Sequence, residues 1–112
     1  MKIKKNNKTI ETSIYIKVAD RFSTRLRGFM FRKQKLHNEG LLITPCNSIH
    51  MFFMYITIDV VFIDNENKVV KVKESLKPWK FVLPVKHAKA AVELPVGTIK
   101  EYNLKVGDKL VF

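Results

Sequence analysis

The sequence predicts a single mainly β domain, a β-sandwich or distorted barrel with one or two short helices. Three observations carry that expectation. Apolar and β-branched residues gather in runs of strand length, as in Ile14-Tyr15-Ile16-Lys17-Val18 and residues 58–64. Residues 68–73 turn Val70 and Val72 one way and three lysines the other, the period of two that marks a strand wet on one face. Turn formers, Asp64-Asn65-Glu66-Asn67 and Gly107-Asp108, separate the runs at short intervals. Short strands with short connections bury their apolar faces best by stacking two layers.

Taken in order, residues 1–12 are basic and form a less regular N-terminal strand or arm. The run at 14–18 is the first clear strand. Asp20 then stands where a helix N-cap belongs, and Phe22, Leu26, Phe29 and Met30 recur at helical spacing. A short amphipathic helix over 21–30 follows from that pattern. Strands are expected at 41–44, 48–54 and 58–64, with Pro45 interrupting between the first two. After the strand at 68–73, residues 76–85 place Pro78 and Pro84 around Trp79 and Phe81, an irregular loop with an aromatic anchor. A strand at 88–94, a helical turn within 95–103 and a closing strand at 109–112 complete the chain. Nothing in 1–112 marks a linker, a repeat or a second domain.

Charge is unevenly distributed. Residues 1–35, 36–67 and 68–112 carry +9, −4 and +6, which together make the +11 of the whole 112-residue chain. The middle third, free of Lys and Arg, is where core and site belong. Its cationic flanks draw anions by long-range attraction. Arg25, Arg27 and Arg32, with Lys33 and Lys35, are the densest cation group and suit an anion or phosphate clamp. Nucleic-acid binding would need aromatics interleaved with the cations, and these fall in the uncharged middle instead. Weak, non-specific attraction through the flanks is the form it would take.

Several segments together resemble a known family. They are Arg27-Gly28-Phe29-Met30-Phe31-Arg32, Gly40-Leu41-Leu42, Pro45-Cys46-Asn47-Ser48-Ile49-His50-Met51-Phe52-Phe53-Met54, Ile58-Asp59-Val60-Val61-Phe62-Ile63-Asp64, Val92-Glu93-Leu94-Pro95-Val96-Gly97-Thr98 and Val106-Gly107-Asp108. Their order is that of a prokaryotic family known only as "domain of unknown function, number 192", from about Ile14 onward. The resemblance implies a small, mainly β fold with two sheets curled around one core. It implies no reaction, catalytic residue or cofactor. Many relatives hold an Asn-Thr-containing insert where this chain has only Tyr55-Ile56-Thr57-Ile58, so the local hairpin is shorter here.

Chemistry-bearing residues concentrate at 46–59. Alternation puts Cys46, Ser48, His50, Phe52 and Met54 on one strand face, with Asn47, Ile49, Met51, Phe53 and Tyr55 on the other. Asp59 opens the next strand, within a side chain's reach. Thiol catalysis by Cys46 with His50 is one reading. Four residues of strand hold them ~13 Å apart at Cα, so it would need a bend or bulge. A metal site would collect His50, Cys46, His87 and Asp59, but the ligand spacings of metal motifs are missing, and neither metal nor cofactor is expected. The expectation is a non-enzymatic ligand-binding or accessory module, with an enzyme using His50 with Asp59 or Cys46 as the alternative. Binding residues would be Arg27, Cys46, Ser48, His50 and Asp59, and the ligand a small anionic or polyhydroxylated molecule. His50, set among large apolar neighbours, should be buried and bonded to Asp59, Ser48 or a backbone carbonyl. Glu93, between Val92 and Leu94, either faces solvent or pairs with Arg27. His37 and His87 belong to solvated loops. With one cysteine no internal disulfide forms, and neither a signal-like apolar stretch nor a membrane span is present, so a cytoplasmic setting is expected.

Overall fold

Strands apolar on both faces need cover on both sides, and among the described residues three sheets and a short helix provide it. The structure is a computed structural model and describes residues 1–21, 29, 32–51 and 53–112. Its elements are β1 (Lys2–Lys5), β2 (Lys8–Glu11), β3 (Tyr15–Ala19), β4 (Glu39–Ile43), β5 (Ile49–His50), β6 (Ile58–Ile63), β7 (Val69–Leu76), β8 (Phe81–Val82), β9 (Ala90–Pro95), the short helix α1 (Thr98–Tyr102) and β10 (Lys109–Val111). The expected helix over 21–30 falls almost wholly outside the described residues.

A five-stranded sheet in the order β3-β4-β9-β6-β7 forms the centre; β3 and β4 run parallel and the other pairs antiparallel. β6 and β9 lie inside it with both faces covered, so every residue of β6 and all of β9 but Pro95 are buried, Asp59 and Glu93 included. One face carries Ile58, Val60, Phe62, Leu41, Ile43 and Ala91 into a core closed by Ile49, Met51, Met54 and Val82. The opposite face carries Val61, Ile63, Val92 and Leu94 against Ile3, Ile99, Leu104 and Leu110. That second layer is the β10-β1-β2 sheet together with α1. The fold is therefore mainly β and layered, and not a closed barrel.

Close packing explains Gly40. A Cβ there would lie 2.8 Å from both the Glu93 carbonyl oxygen and Ile16 Cδ1, closer than any side chain can approach.

Four expectations change in the structure. The arm at 1–12 is a regular hairpin that joins β10. In β7, Val70 and Val72 reach opposite cores, because the register shifts between the Phe62–Lys71 and Ile63–Val69 pairs. The strand at 48–54 shrinks to Ile49–His50, because the Met54 N–H bonds the Met51 carbonyl (3.2 Å) and Phe53 takes a positive φ of 60°. Beyond that turn the alternation inverts: Met54 is buried and Phe53 exposed. Finally, Trp79 is no buried anchor. Its ring is exposed and meets Phe53 edge-on, with centroids 5.1 Å apart.

Candidate functional site

β5 and β8 pair antiparallel, Ile49 opposite Val82 and His50 opposite Phe81. The ladder runs on at both ends. Met51 N–H donates to the Lys80 carbonyl (2.6 Å), Trp79 N–H to the Met51 carbonyl (2.7 Å) and Val85 N–H to the Asn47 carbonyl (2.7 Å). Ile49 and Val82 are both buried in the core beneath this ribbon. Alternation then turns Ser48 and His50, with Phe81 and Leu83 across from them, to the outer face. There Trp79, Phe81 and Leu83 are 56%, 60% and 70% exposed. Three large apolar side chains thus stand exposed at residues 79, 81 and 83, one in β8 and one on either side of it. Ser48 and the half-buried His50 form the parallel polar column. Between the columns lies a groove of ≈ 380 Å³ lined by residues 48–50 and 81–84. The expected sharing of a face by Ser48 and His50 therefore holds, although His50 is half-buried rather than sealed in.

Cys46 sits apart from that groove. Its thiol donates to the Ser48 carbonyl (2.9 Å), and its backbone N–H bonds the Lys89 carbonyl (2.8 Å). It lines a separate shallow cavity with Pro45, Asn47, Ala88 and Lys89. The Cys46 thiol proton points to a backbone carbonyl.

Asp59 does not join His50. It follows Ile58, which packs beneath the ribbon, so alternation sends its carboxylate to the opposite face of the central sheet. Fully buried there, it accepts three backbone N–H groups: Ser75 on Oδ1 (2.8 Å), and Gly97 (3.1 Å) and Ile99 (2.9 Å) on Oδ2. The last two belong to the entry of α1, whose first amides have no partner within the helix. The charge is thus balanced by donors, as burial demands. Arg27, the remaining expected residue, lies outside the described residues, and so does any pairing of it with Glu93.

Glu93 is the residue that sequence reading undervalued. It lies on the ribbon side of the central sheet, opposite Leu41 on β4 and Val60 on β6, and is 3% exposed. Burial pushes its carboxyl up to about 7, while a hydrogen bond from the Phe29 backbone pulls the other way. Its Oε1 has no hydrogen-bond partner among the described residues. The available signal was an acid inside Ala90-Ala91-Val92-Glu93-Leu94, a run apolar on both faces. Among the described residues, no three His, Cys, Asp or Glu side chains gather to hold a metal. No helix among them is long and apolar enough to cross a membrane.

Comparison with known proteins gives one consistent result. The family model DUF192, described as Uncharacterized ACR, matches residues 2–112, extending the resemblance through the β1–β2 hairpin. A UPF0127 protein of Pyrococcus abyssi is 38% identical over 112 residues, covering 93% of this chain and 91% of that protein. One from Pyrococcus furiosus is 39% identical over 105 residues, covering 89% and 88%. One from Thermococcus sibiricus is 39% identical over 100 residues; the match covers 85% of this chain but only 64% of that longer protein. Among solved structures, a protein of unknown function from Novosphingobium aromaticivorans superposes with a TM-score of 0.83 at 20% identity. That match covers 99% of this chain and 82% of the other, and speaks for the fold alone.

Proposed function

The chain belongs to the DUF192 family, the Uncharacterized ACR proteins, and from that premise we propose that it is a non-enzymatic binding module for a small polyhydroxylated ligand. One observation carries the reading: the exposed column Trp79-Phe81-Leu83 beside the polar column Ser48-His50. Apolar side chains set in line on a surface mark a binding face more often than chance exposure. A sugar-like ring has an apolar C–H face and a hydroxyl edge. The first would lie on Phe81 and Leu83, which line the groove two residues and more from Trp79, and the second would exchange hydrogen bonds with Ser48 and His50.

The absence of turnover is supported by the same geometry. An enzyme using His50 with Asp59 lacks its orienting carboxylate, which three backbone amides occupy across the sheet. An enzyme using Cys46 has its thiol engaged by the Ser48 backbone carbonyl, with Cys46 itself lining another cavity.

Trp79 is the single tryptophan, so its fluorescence reports directly on this face. Titration with a panel of neutral mono- and oligosaccharides should give a saturable change with at least one member. Phe81→Ala should remove that change while the fold persists. A flat response from folded protein across the whole panel overturns the ligand class. Loss of substrate that depends on His50 overturns the non-enzymatic reading.

A further inference from the structure

Two members of the cation group, Lys33 and Lys35, line a cavity that the ribbon face does not use. Lys33, Lys35, Tyr55, Ile56, Thr57 and Val96 line a space of ≈ 480 Å³, within the usual ~300–1,000 Å³ of small-molecule sites. Among the described residues its lining comprises two lysines, two hydroxyl-bearing residues and two apolar ones, and no acid. Lys33 and Lys35 make no ion pair with any described residue. Glu39, the acid nearest to them in sequence, is already engaged by Arg32. The far wall is held in place from within the fold. Asp59 accepts the N–H of Gly97, the residue after Val96, and so fixes the turn that presents Val96 to the cavity.

We propose that this cavity is a second binding site, selective for a small organic phosphate monoester. Two ammoniums and two hydroxyl donors match a compact dianion with three terminal oxygens, to which each can direct a charged or neutral hydrogen bond. Ile56 and Val96 supply apolar surface for the organic part. The volume exceeds what phosphate alone would fill. The site is separate from the ribbon groove and stands or falls without it.

The test is a chemical-shift titration of the whole chain at fixed ionic strength, with inorganic phosphate and phenyl phosphate as probes and sulfate as the comparison anion. Shifts should concentrate at the amides of Tyr55, Ile56, Thr57 and Val96. Phenyl phosphate should bind more tightly than phosphate, and phosphate more tightly than sulfate. The double variant Lys33→Ala, Lys35→Ala should weaken phenyl phosphate about tenfold or more, since each lost charged bond is large on the scale of a weak affinity. Thr57→Val and Tyr55→Phe should each weaken it less, with Trp79 fluorescence unaltered. Shifts scattered over all lysines overturn the proposal. So does an equal loss from Lys2→Ala with Lys4→Ala, because both results mean attraction by net charge alone. Equal affinity for phosphate and phenyl phosphate removes the organic ligand.

Discussion

The Gly97 N–H donates to Asp59 Oδ2 across 3.1 Å, tying the left-handed turn before α1 to the middle of the central sheet. Gly97 takes φ 93°, a conformation costly for any residue with a Cβ. The same carboxylate holds Ile99 in the helix and Ser75, itself at φ 51°, on the edge strand β7. One buried side chain on β6 thus ties the entry of α1 to the edge strand β7.

Asp59→Ala should therefore be among the most destabilising single changes in the chain. It leaves three buried or half-buried N–H groups without their acceptor, a loss of about 3 kcal/mol or more. Asp59→Asn keeps one acceptor oxygen and should cost less. Urea unfolding measures both. A loss for Asp59→Ala within ~0.5 kcal/mol, the range of ordinary surface changes, contradicts the anchoring role.

Glu93 makes stability depend on pH with a defined sign. Its carboxyl rises from 4.5 to about 7 on folding, so the native state holds the proton more tightly than the unfolded chain. Its contribution is complete below pH 4.5 and is lost as pH climbs to about 7, then stays constant. At 1.36 kcal/mol per pKa unit the loss is on the order of 3 kcal/mol. Glu93→Gln should flatten that part of the profile and be the more stable protein at pH 8. A variant profile parallel to the parent's between pH 4.5 and 7 rules out Glu93 as the source.

The two faces of the ribbon should respond oppositely to truncation. Phe81→Ser and Leu83→Ser alter exposed side chains and should move stability by no more than ~0.5 kcal/mol. Val82→Ala, between them, removes buried methyl groups and should cost about 2 kcal/mol. Comparable costs at all three positions, in thermal or urea melts, mean that the outer column is covered rather than free.

Gly40→Ala and Gly97→Ala separate crowding from backbone strain. At Gly40 the added methyl meets the Glu93 carbonyl and Ile16 at 2.8 Å, so the β3-β4-β9 pairing must shift, at about 1–3 kcal/mol. At Gly97 nothing lies within 4 Å, and only the left-handed φ is penalised, at about 1 kcal/mol. Amide exchange should accordingly quicken across β4 and β9 in the first variant and near α1 in the second. Unchanged exchange across β4 and β9 in Gly40→Ala argues against the close approach.

Much of the architecture was legible along the chain. The strands that became β3, β4, β6, β9 and β10, and the helical turn after Pro95, follow from period-two patterns, turn residues and apolar runs, which are local properties. So does the common face of Ser48 and His50, because strand alternation needs no knowledge of what lies above it. The turn at residues 51–54 was not legible, since its cause is the pull of Met54 into the same core as Met51.

Alternation within a strand assigns Asp59 and Ile58 to opposite faces, but it cannot say which layer covers each face. That depends on pairings between residues far apart in sequence, such as Ile49 with Val82 and Val60 with Glu93. The mainly β character, the strands and the alternation within them are written in the residues themselves, because hydrophobic burial acts on each segment locally. Packing between distant strands made Asp59 a backbone anchor and buried Glu93. It alone left Trp79, Phe81 and Leu83 in water, because burial of a given face depends on which distant strand packs against it.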